Sequence, residues 1–481
     1  QAPFHASYHE YAARLHEQSG NNESALASFQ KVLKYNPNDF DVRRRIRELE
    51  NRTNLNTLLP QNDPYELIKK SKLQDKSREF DWYYILDERA TILYPEGCSE
   101  TYYTIVLKVL NEKGIDDWKE ATLGYNQYRQ RLIVEKAEVV KPGGSKFSAE
   151  QNGNELVFTN LEKGDAVYLR YRIVSYEYGR MAREFWDTYA FNAFVPTGIS
   201  RYVLLCPKNL DFDSKIVHTE LKPAGQEVED FKVYTWETLN EPALKEESFM
   251  PPRFDVSRSL NVSTLHDWKE VADWYSDLST LQSKQDQEVQ QAVKNLFPQG
   301  KTFSPEEKAR SIYAFILKNI RYSSVSFRQS AFMPQKASSV LQTKLGDCKD
   351  LSTLYAAMAR EAGLEANLVL LNTRDNGEES LNLPSVDFNH CIVKVKAGSQ
   401  VWHLELTDSN LPFGSLPNGD IGGLALEIPY NGAGAAAGIF KLNPKNRSVD
   451  YRHQQVQIDI KNRDLSIINH ATLGGAITRN L

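Results

Sequence analysis

The spacing of apolar positions changes along this chain, and each change predicts a different kind of element. Residues 3–52 repeat apolar positions at helical spacing, and a polar stretch ends that segment. From about residue 75 to 250 the spacing becomes two, in short runs closed by turns, such as TYYTIVLKVLNEKG and GDAVYLRYRIVSYEY. Helical spacing returns after residue 262, and β-rich sequence follows residue 425. The pattern predicts a multidomain α+β protein.

These changes divide the chain into four predicted domains. Residues 1–52 are expected to form a helical hairpin and residues 64–255 a β-sandwich. Residues 262–425 are expected to form a mixed α/β core, and residues 426–481 the start of a C-terminal β domain. A length of 481 residues agrees with this division, because it exceeds what one ordinary hydrophobic core can organise.

The first segment has the residue spacing of a tetratricopeptide repeat, carried by Ala13, Gly20, Ala25, Phe29 and Pro37. Small residues let two antiparallel helices approach, Phe29 is expected to fill their groove, and Pro37 to stop the second helix. One repeat cannot bury its own face, so we expect further repeats or a neighbouring domain against it. A protein partner could bind through these helices. The plainer alternative is an ordinary helical hairpin.

Composition and charge exclude several classes of protein. A net charge of -5 argues against a nucleic-acid partner, which requires a basic patch. No apolar run reaches the roughly 18 residues of a membrane helix, and the first twenty residues do not have the pattern of a signal peptide. No pair of cysteines has CxxC spacing, so we expect no metal bound through thiolates, and the candidate chemistry described below implies no metal or organic cofactor. Cys98, Cys206 and Cys391 are expected to be small buried hydrophobes.

One predicted helix start places a cysteine in a reactive position. The segment KLGDCKDLSTLYAAMAREAG predicts a helix running to Arg360 and ended by Gly363, with Cys348 at its N-terminus. The unpaired N–H groups and the positive end of the helix dipole stabilise a thiolate there. They can also receive the oxyanion formed when a carbonyl is attacked. Asp347 and Asp350 partly oppose a thiolate, so a cationic imidazole would have to outweigh them.

A histidine on a predicted hairpin can supply that imidazole. The segment VDFNHCIVKVKAGSQVWHLELTD predicts two strands joined by a short turn. Pairing Lys396 with Val401 places His390 diagonal to Glu405 on one face, and Asp408 on the opposite face unless a bulge intervenes. A carboxylate beside His390 would hold the ring's tautomer and favour the imidazolium. Glu405 is therefore the first candidate for that acid, and Asp408 is the reserve.

This order of residues resembles the transglutaminase-like superfamily, which has a papain-like fold: GDCKD at a helix start, NH on a strand, then a carboxylate one strand later. The segment ELTDSNLPFGSLP resembles bacterial members in which a domain of unknown function precedes that core. The upstream ILYPEGCSETYYTIVLKVLNEKG resembles the preceding domain. The resemblance covers residues from about 64 to 430, with tetratricopeptide helices as a frequent companion.

The resemblance implies that residues 262–425 are a papain-like transglutaminase core in which Cys348 is the nucleophile and His390 the base. The family's third residue is usually Asp, in a segment resembling Asp-Pro-Thr, and this position falls on Glu405. The extra methylene moves the carboxylate outward. Either small structural shifts preserve the distance between the Glu405 carboxylate and His390, or catalysis is weakened.

Two functions are compatible with these residues. In the first, Cys348 attacks a peptide or carboxamide carbonyl, His390 shuttles the proton, and the thioester passes to water or to an amine. The resemblance favours hydrolysis, and hence a peptide or protein substrate. In the second, the chain is a non-catalytic interaction protein whose helices and β-sandwich bind partners. The resemblance also implies a periplasmic or cell-surface location in a Gram-negative bacterium.

Overall fold

The structure, a computed structural model, divides into two compact units, and each is described by itself. The first comprises Gln1–Met250 with Ser257–Thr264, and the second Pro251–Val256 with Leu265–Leu481. The residues that the structure describes are 4–71, 79–176, 179–323, 332–432, 438–447, 450–461 and 464–476.

Helices open the first unit, as the apolar spacing predicted. They are α1 (Ala6–Gln18), α2 (Asn22–Tyr35), α3 (Phe40–Leu49) and α4 (Pro64–Lys70), with α5 (Glu112–Trp118) further along the chain. Asn21 and Asp39 cap α2 and α3 through their side chains. Phe29 is buried between small residues of the first two helices, Ala13 and Ala25. The N-terminal helices are therefore confirmed, while their assignment as a tetratricopeptide repeat stays a prediction.

Most of the first unit is β-structure. Its strands are β1 (Trp82–Leu93), β2 (Ser99–Val109), β3 (Glu120–Thr122), β4 (Gln130–Val140), β5 (Lys146–Ser148), β6 (Glu150–Asn152), β7 (Glu155–Val157), β8 (Ala166–Ser175), β9 (Trp186–Ala190), β10 (Thr197–Pro207), β11 (Asp213–Val217), β12 (Ala224–Val228), β13 (Phe231–Glu241) and β14 (Ser259–Ser263). Within the described residues they form an eight-stranded sheet in the order β12-β13-β10-β1-β2-β8-β4-β5, and two smaller sheets, β11-β14-β9 and β3-β7-β6. The parallel pairing of β1 with β10 interrupts otherwise antiparallel neighbours in the large sheet.

Both faces of the large sheet are buried, because consecutive side chains of a strand point to opposite sides. On β10, Tyr202 and Leu204 pack toward β9 and β14, whereas Val203 and Leu205 pack toward Phe40 and the residues that follow α3. The predicted packing of sheet on sheet is present, and the N-terminal helices add a third layer. Cys98 and Cys206 are buried in these cores, as expected.

The second unit packs helices against an antiparallel sheet. Its helices are α6 (Arg253–Val256), α7 (Trp268–Thr280), α8 (Gln287–Leu296), α9 (Pro305–Asn319), α10 (Ala337–Thr343) and α11 (Cys348–Glu361). Its strands are β15 (Arg321–Tyr322), β16 (Leu345–Gly346), β17 (Glu365–Asn372), β18 (His390–Ala397), β19 (Gln400–Leu404), β20 (Leu424–Ile428), β21 (Phe440–Lys441), β22 (Tyr451–Lys461) and β23 (Asp464–Gly474). In the described part of this unit the main sheet has the order β19-β18-β17-β20-β21, and β22 pairs with β23. Across the described residues of the chain, every helix is too short or too polar to cross a bilayer.

Helix α11 is the central helix of the second unit. Every residue from Asp350 to Ala359 is buried, and the helix packs on β17 and β18. The helix has the predicted start, and it ends just before Gly363, whose φ of 81° is the left-handed conformation that favours glycine at a helix end. A helix buried on nearly all sides cannot shift without opening the core, so its first residue has a fixed position.

Truncation inside this helix should therefore destabilise the second unit. Leu354 is fully buried, and Leu354→Ala is expected to lower the free energy of unfolding by about 2–5 kcal/mol through lost burial and a residual cavity. The measurement is urea denaturation of the full chain followed by fluorescence. Leu281→Ala is the matched control, since that side chain is 59% exposed, and its effect should stay within about 0.5 kcal/mol. Equal effects of the two substitutions would contradict the central position of α11.

Candidate active site

Three elements of the second unit bring a thiol, an imidazole and a carboxylate together. Cys348 is the first residue of α11, His390 is the first residue of β18, and Glu405 directly follows β19. Strands β18 and β19 pair with Lys396 opposite Val401, so the predicted register is confirmed. This register brings the residue after β19 back toward the start of β18.

A buried hydrogen bond aligns the helix with the strand. The Ser352 hydroxyl donates to the Cys391 carbonyl at 3.1 Å. Ser352 lies one helical turn after Cys348, and Cys391 is the neighbour of His390. The bond therefore joins α11 to β18 within a few ångströms of the two reactive groups, and both groups are on regular elements of the fold.

The carboxylate of Glu405 is held through both of its oxygens. Its Oε2 lies 2.5 Å from Nε2 of His390, and its Oε1 accepts the backbone N–H of Thr407 at 2.6 Å. Because an ionised carboxylate can only accept, Nε2 carries the proton in this hydrogen bond. That leaves Nδ1 of the ring available to Cys348, whose side chain is close enough to raise the pKa of His390. Glu405 thus reaches His390 despite its extra methylene.

The contacts of His390 and Glu405 favour the charged form of both side chains. Burial alone would lower the pKa of His390, but the hydrogen bonds with Cys348 and Glu405 and the nearby negative charges outweigh it and raise that pKa well above its ordinary value. Burial would likewise raise the pKa of Glu405, whereas the hydrogen bond and charge of His390, with the Thr407 contacts, lower it to about 2. At neutral pH the pair is therefore an imidazolium and a carboxylate.

The helix start offers fewer free N–H groups than the sequence analysis expected. Asp347 Oδ1 accepts the backbone N–H groups of Lys349 and Asp350 at 3.1 and 3.2 Å, because Asp347 is the N-cap of α11. Those two donors are therefore unavailable to an oxyanion. Among the described residues no acceptor faces the backbone N–H of Cys348 itself, so this group is the donor that the first turn still offers.

The acidic neighbours of Cys348 are compensated by local contacts. Asp350 accepts the backbone N–H of Gln335 at 2.7 Å, its side-chain amide at 2.6 Å, and the backbone N–H of Asp347 at 3.1 Å. Asp347 forms an ion pair with Lys349. The expected opposition of these two carboxylates to a thiolate is therefore reduced, since each is already balanced by donors or by a cation.

Gly346, which precedes the N-cap, allows β16 to approach the first turn of α11. A Cβ at this position would lie 2.7 Å from Cβ of Asp350 and 2.9 Å from Cδ1 of Leu351, closer than side-chain atoms normally approach. Any other residue would push the strand away from the helix start. The glycine in the GDC segment is therefore required by close packing next to Cys348.

A second buried carboxylate, Asp420, lies beside the pair, and the sequence analysis did not include it. Ligand atoms of His390, Glu405 and Asp420 all lie within 4.8 Å of one another. The loop that carries Asp420 is held by hydrogen bonds, with its N–H donating to Pro417 O and its carbonyl accepting from Gly423, both at 3.0 Å. Asp420 could not be placed from the sequence, because the SLPNGDIGG segment is irregular and has no strand periodicity that assigns a side chain to one face.

The side chains of His390, Glu405 and Asp420 offer ligand atoms that could hold a metal ion, although Nε2 of His390 is already hydrogen-bonded to Glu405. That the site needs no metal stays a prediction.

Asp408, the reserve acid, has a different environment. Its Oδ1 accepts the backbone N–H of Asn410 at 2.9 Å, and the residue lines an open pocket next to the loop that follows Glu405.

Cys391 is buried, as the sequence predicted. Burial raises the pKa of its thiol well above the usual range, which suits a core residue.

Two parts of the chain match known protein families. Residues 291–404 match the transglutaminase-like superfamily. Residues 95–155 and 154–245 match a domain of unknown function with a solved structure, DUF3857. The chain therefore contains a transglutaminase-like domain and, before it, a DUF3857 domain. Cys348 and His390 lie inside the first match, and Glu405 directly follows it.

A solved structure shares the fold at low sequence identity. A protein from Parabacteroides distasonis ATCC 8503, described as a putative protease, matches with a TM-score of 0.61 and 16% identity, over 76% of this chain and 72% of its own. A protein from Cytophaga hutchinsonii, described as a putative cysteine protease, matches with a TM-score of 0.23 and 15% identity, over 61% and 93% of the two chains. No curated protein matches the sequence. The first of these likenesses shows a common fold, and the second carries no argument.

The charge on Glu405 should control the protonation of His390. Glu405→Gln keeps a side chain of the same length but removes the negative charge, so we expect the pKa of His390 to fall. The measurement is a pH titration of the His390 imidazole by NMR, with the signal assigned by its loss in His390→Ala. Glu365→Gln, which removes an exposed carboxylate paired with Lys396, should leave the titration unchanged. An unaltered pKa in Glu405→Gln would contradict the ion pair.

Proposed function

We propose that the second unit is a cysteine hydrolase of peptide or amide bonds. Cys348 acts as the nucleophile, His390 as the proton carrier, and Glu405 as the residue that positions and charges His390. The observation that carries the proposal is the chain of contacts from the Cys348 sulfur through the imidazole to a buried carboxylate held by Thr407. The match to the transglutaminase-like superfamily supports it.

The first half of the reaction forms a thioester. The sulfur of Cys348 attacks the carbonyl carbon, a C–S bond forms, and the carbonyl π electrons move to oxygen. The backbone N–H of Cys348 donates to that oxyanion, and the imidazolium of His390 gives its proton to the leaving nitrogen as the C–N bond breaks. Glu405 stays ionised throughout and keeps the ring oriented.

The second half releases the acid product. A water molecule attacks the thioester while His390 accepts its proton, and the C–S bond then breaks to return Cys348 as the thiolate. We favour water over an amine as the acceptor because Cys348 is only half-buried, so solvent can reach the thioester. Amine transfer remains the alternative, and it would require a pocket that excludes water.

A second candidate is protein interaction without catalysis. One observation favours it: Asp347 occupies two N–H groups of the helix start, which weakens the oxyanion site. The N-terminal helices would then serve as the surface for a protein partner. Both this role and a periplasmic or cell-surface location are proposals that rest on the resemblance to bacterial relatives.

Selective alkylation separates the two functions. At pH 6, iodoacetamide should label Cys348 first, since His390 supplies a cation beside its sulfur, and His390→Ala should slow that labelling by about tenfold or more. Burial raises the pKa of Cys98 to about 11 and that of Cys206 to about 12, so these thiols serve as internal controls. Peptide mapping by mass spectrometry gives the rates. Labelling of Cys348 as slow as that of Cys206 would favour the non-catalytic role.

Hydrolysis itself is tested with a pool of cell-wall peptides and glutamine-containing proteins. Cys348→Ala should abolish turnover, and His390→Ala should lower kcat/KM by about 10²–10⁴-fold because the proton carrier is lost. Cys206→Ala, in the first unit, should retain turnover when the folded fraction is matched by circular dichroism. Mass spectrometry of acid-quenched protein should show an acyl adduct on Cys348. Turnover that survives in Cys348→Ala would exclude the proposed nucleophile.

A further inference from the structure

An open pocket of about 570 Å³ lies within the second unit, next to the proposed acid. Its walls come from the end of α9 and β15, from Lys344 at the end of α10, and from residues 406–409. The pocket therefore begins one residue after Glu405. Lys344 lies four residues before Cys348, and β16 lies between these two residues in the chain. The segments that carry Cys348 and Glu405 therefore both contribute to this pocket.

The charge of the pocket differs from that of the whole chain. Lys318, Arg321 and Lys344 line it together with Asp408, so three cations and one carboxylate give a net charge of +2, whereas the chain carries -5. In the part of the chain that the structure describes, none of the three cations forms an ion pair, in contrast to the many paired arginines and lysines elsewhere. Among the described lining residues, the cations therefore exceed the carboxylates by two.

The backbone holds two of these cations side by side. The N–H of Arg321 donates to the Lys344 carbonyl at 2.9 Å, and β15 pairs with β16 so that Arg321 lies opposite Leu345. Lys344 itself has a φ of 53°, a left-handed conformation that glycine or asparagine usually occupies at a helix end. Both residues line the pocket, so both charges can stabilise an anion bound there.

We propose that this pocket binds a carboxylate of the peptide substrate and makes the hydrolase selective for acidic peptides. The inference rests on the proposed function of Cys348. Arg321 presents the planar fork that matches a carboxylate, and the two lysines add charge around it. Four residues of extended chain span at most about 14 Å. An extended substrate rises by about 3.3 Å per residue, so its carboxylate should lie within about four residues of the scissile bond.

The test compares peptides that differ in one charge. A peptide cleaved by the full chain is made with Glu or Gln at each of the four positions on either side of the scissile bond, and with a free or an amidated C-terminus. We expect kcat/KM to be about 10–100-fold higher for one Glu peptide than for its Gln counterpart, as one charge-assisted hydrogen bond allows. A preference confined to the free C-terminus would identify the terminal carboxylate as the group bound.

The pocket residues should carry this preference. In Arg321→Gln and in Lys344→Gln the Glu-to-Gln ratio of kcat/KM should fall toward 1, and added salt should lower it in the unmodified protein. Lys301→Gln, which removes an exposed lysine from the loop between α8 and α9, should leave the ratio unchanged. A ratio that is near 1 in the unmodified protein, or that persists in both pocket variants, would overturn the inference while hydrolysis stands.

Binding gives an outcome that does not depend on turnover. Cys348→Ala is titrated with the Glu and Gln peptides by fluorescence anisotropy, and tighter binding of the Glu peptide is expected, with loss of the difference when Arg321→Gln is added. Equal affinities would reject the acidic pocket even if the chain hydrolyses peptides. Selective binding without any turnover in the unmodified protein would instead reject the hydrolase and leave the pocket as an acidic-peptide site.

Discussion

The hydrogen bond from Ser352 to the carbonyl of Cys391 is the contact on which the geometry of the site depends. It fixes a buried helix to a strand of the main sheet at a point one turn from Cys348 and one residue from His390. Water cannot compete for a donor and an acceptor that are both buried, so this hydrogen bond keeps the helix and the strand aligned. The sulfur of Cys348 and the imidazole of His390 lie near each other because each is carried by a regular element, α11 or β18, and not by a loop.

Charge balance is the second constraint on this region. A carboxylate as deeply buried as Glu405 is costly unless it is paired and hydrogen-bonded. The imidazolium of His390 and the N–H of Thr407 provide that compensation, and the ionised Glu405 in turn favours the protonated form of His390. Asp420 places a second buried carboxyl group beside the same ring. The features that make burial tolerable are thus the features that keep His390 charged.

Local features of this region could be predicted from the sequence, while contacts between distant segments could not. The start of α11, its buried face and the pairing of Lys396 with Val401 follow from capping residues and periodicity. Occupation of two N–H groups by Asp347 requires a knowledge of cap geometry, since a sequence identifies the capping residue but not the N–H groups that donate to it. Asp420 and the pocket formed by Arg321 and Lys344 depend on how irregular segments return to the site, which periodicity does not describe.

The glutamate at the acid position illustrates how backbone and side chain compensate for each other. The resemblance to the transglutaminase-like superfamily predicts an aspartate here, which is one carbon shorter, and a C–C bond is about 1.5 Å. In this chain Oε2 of Glu405 lies 2.5 Å from Nε2 of His390, so from the same backbone an aspartate would fall short of a hydrogen bond. The backbone after β19 therefore stands back from the ring, and the longer side chain spans the difference. The glutamate differs from the expected aspartate in length, and it still places its carboxylate within hydrogen-bond distance of the histidine.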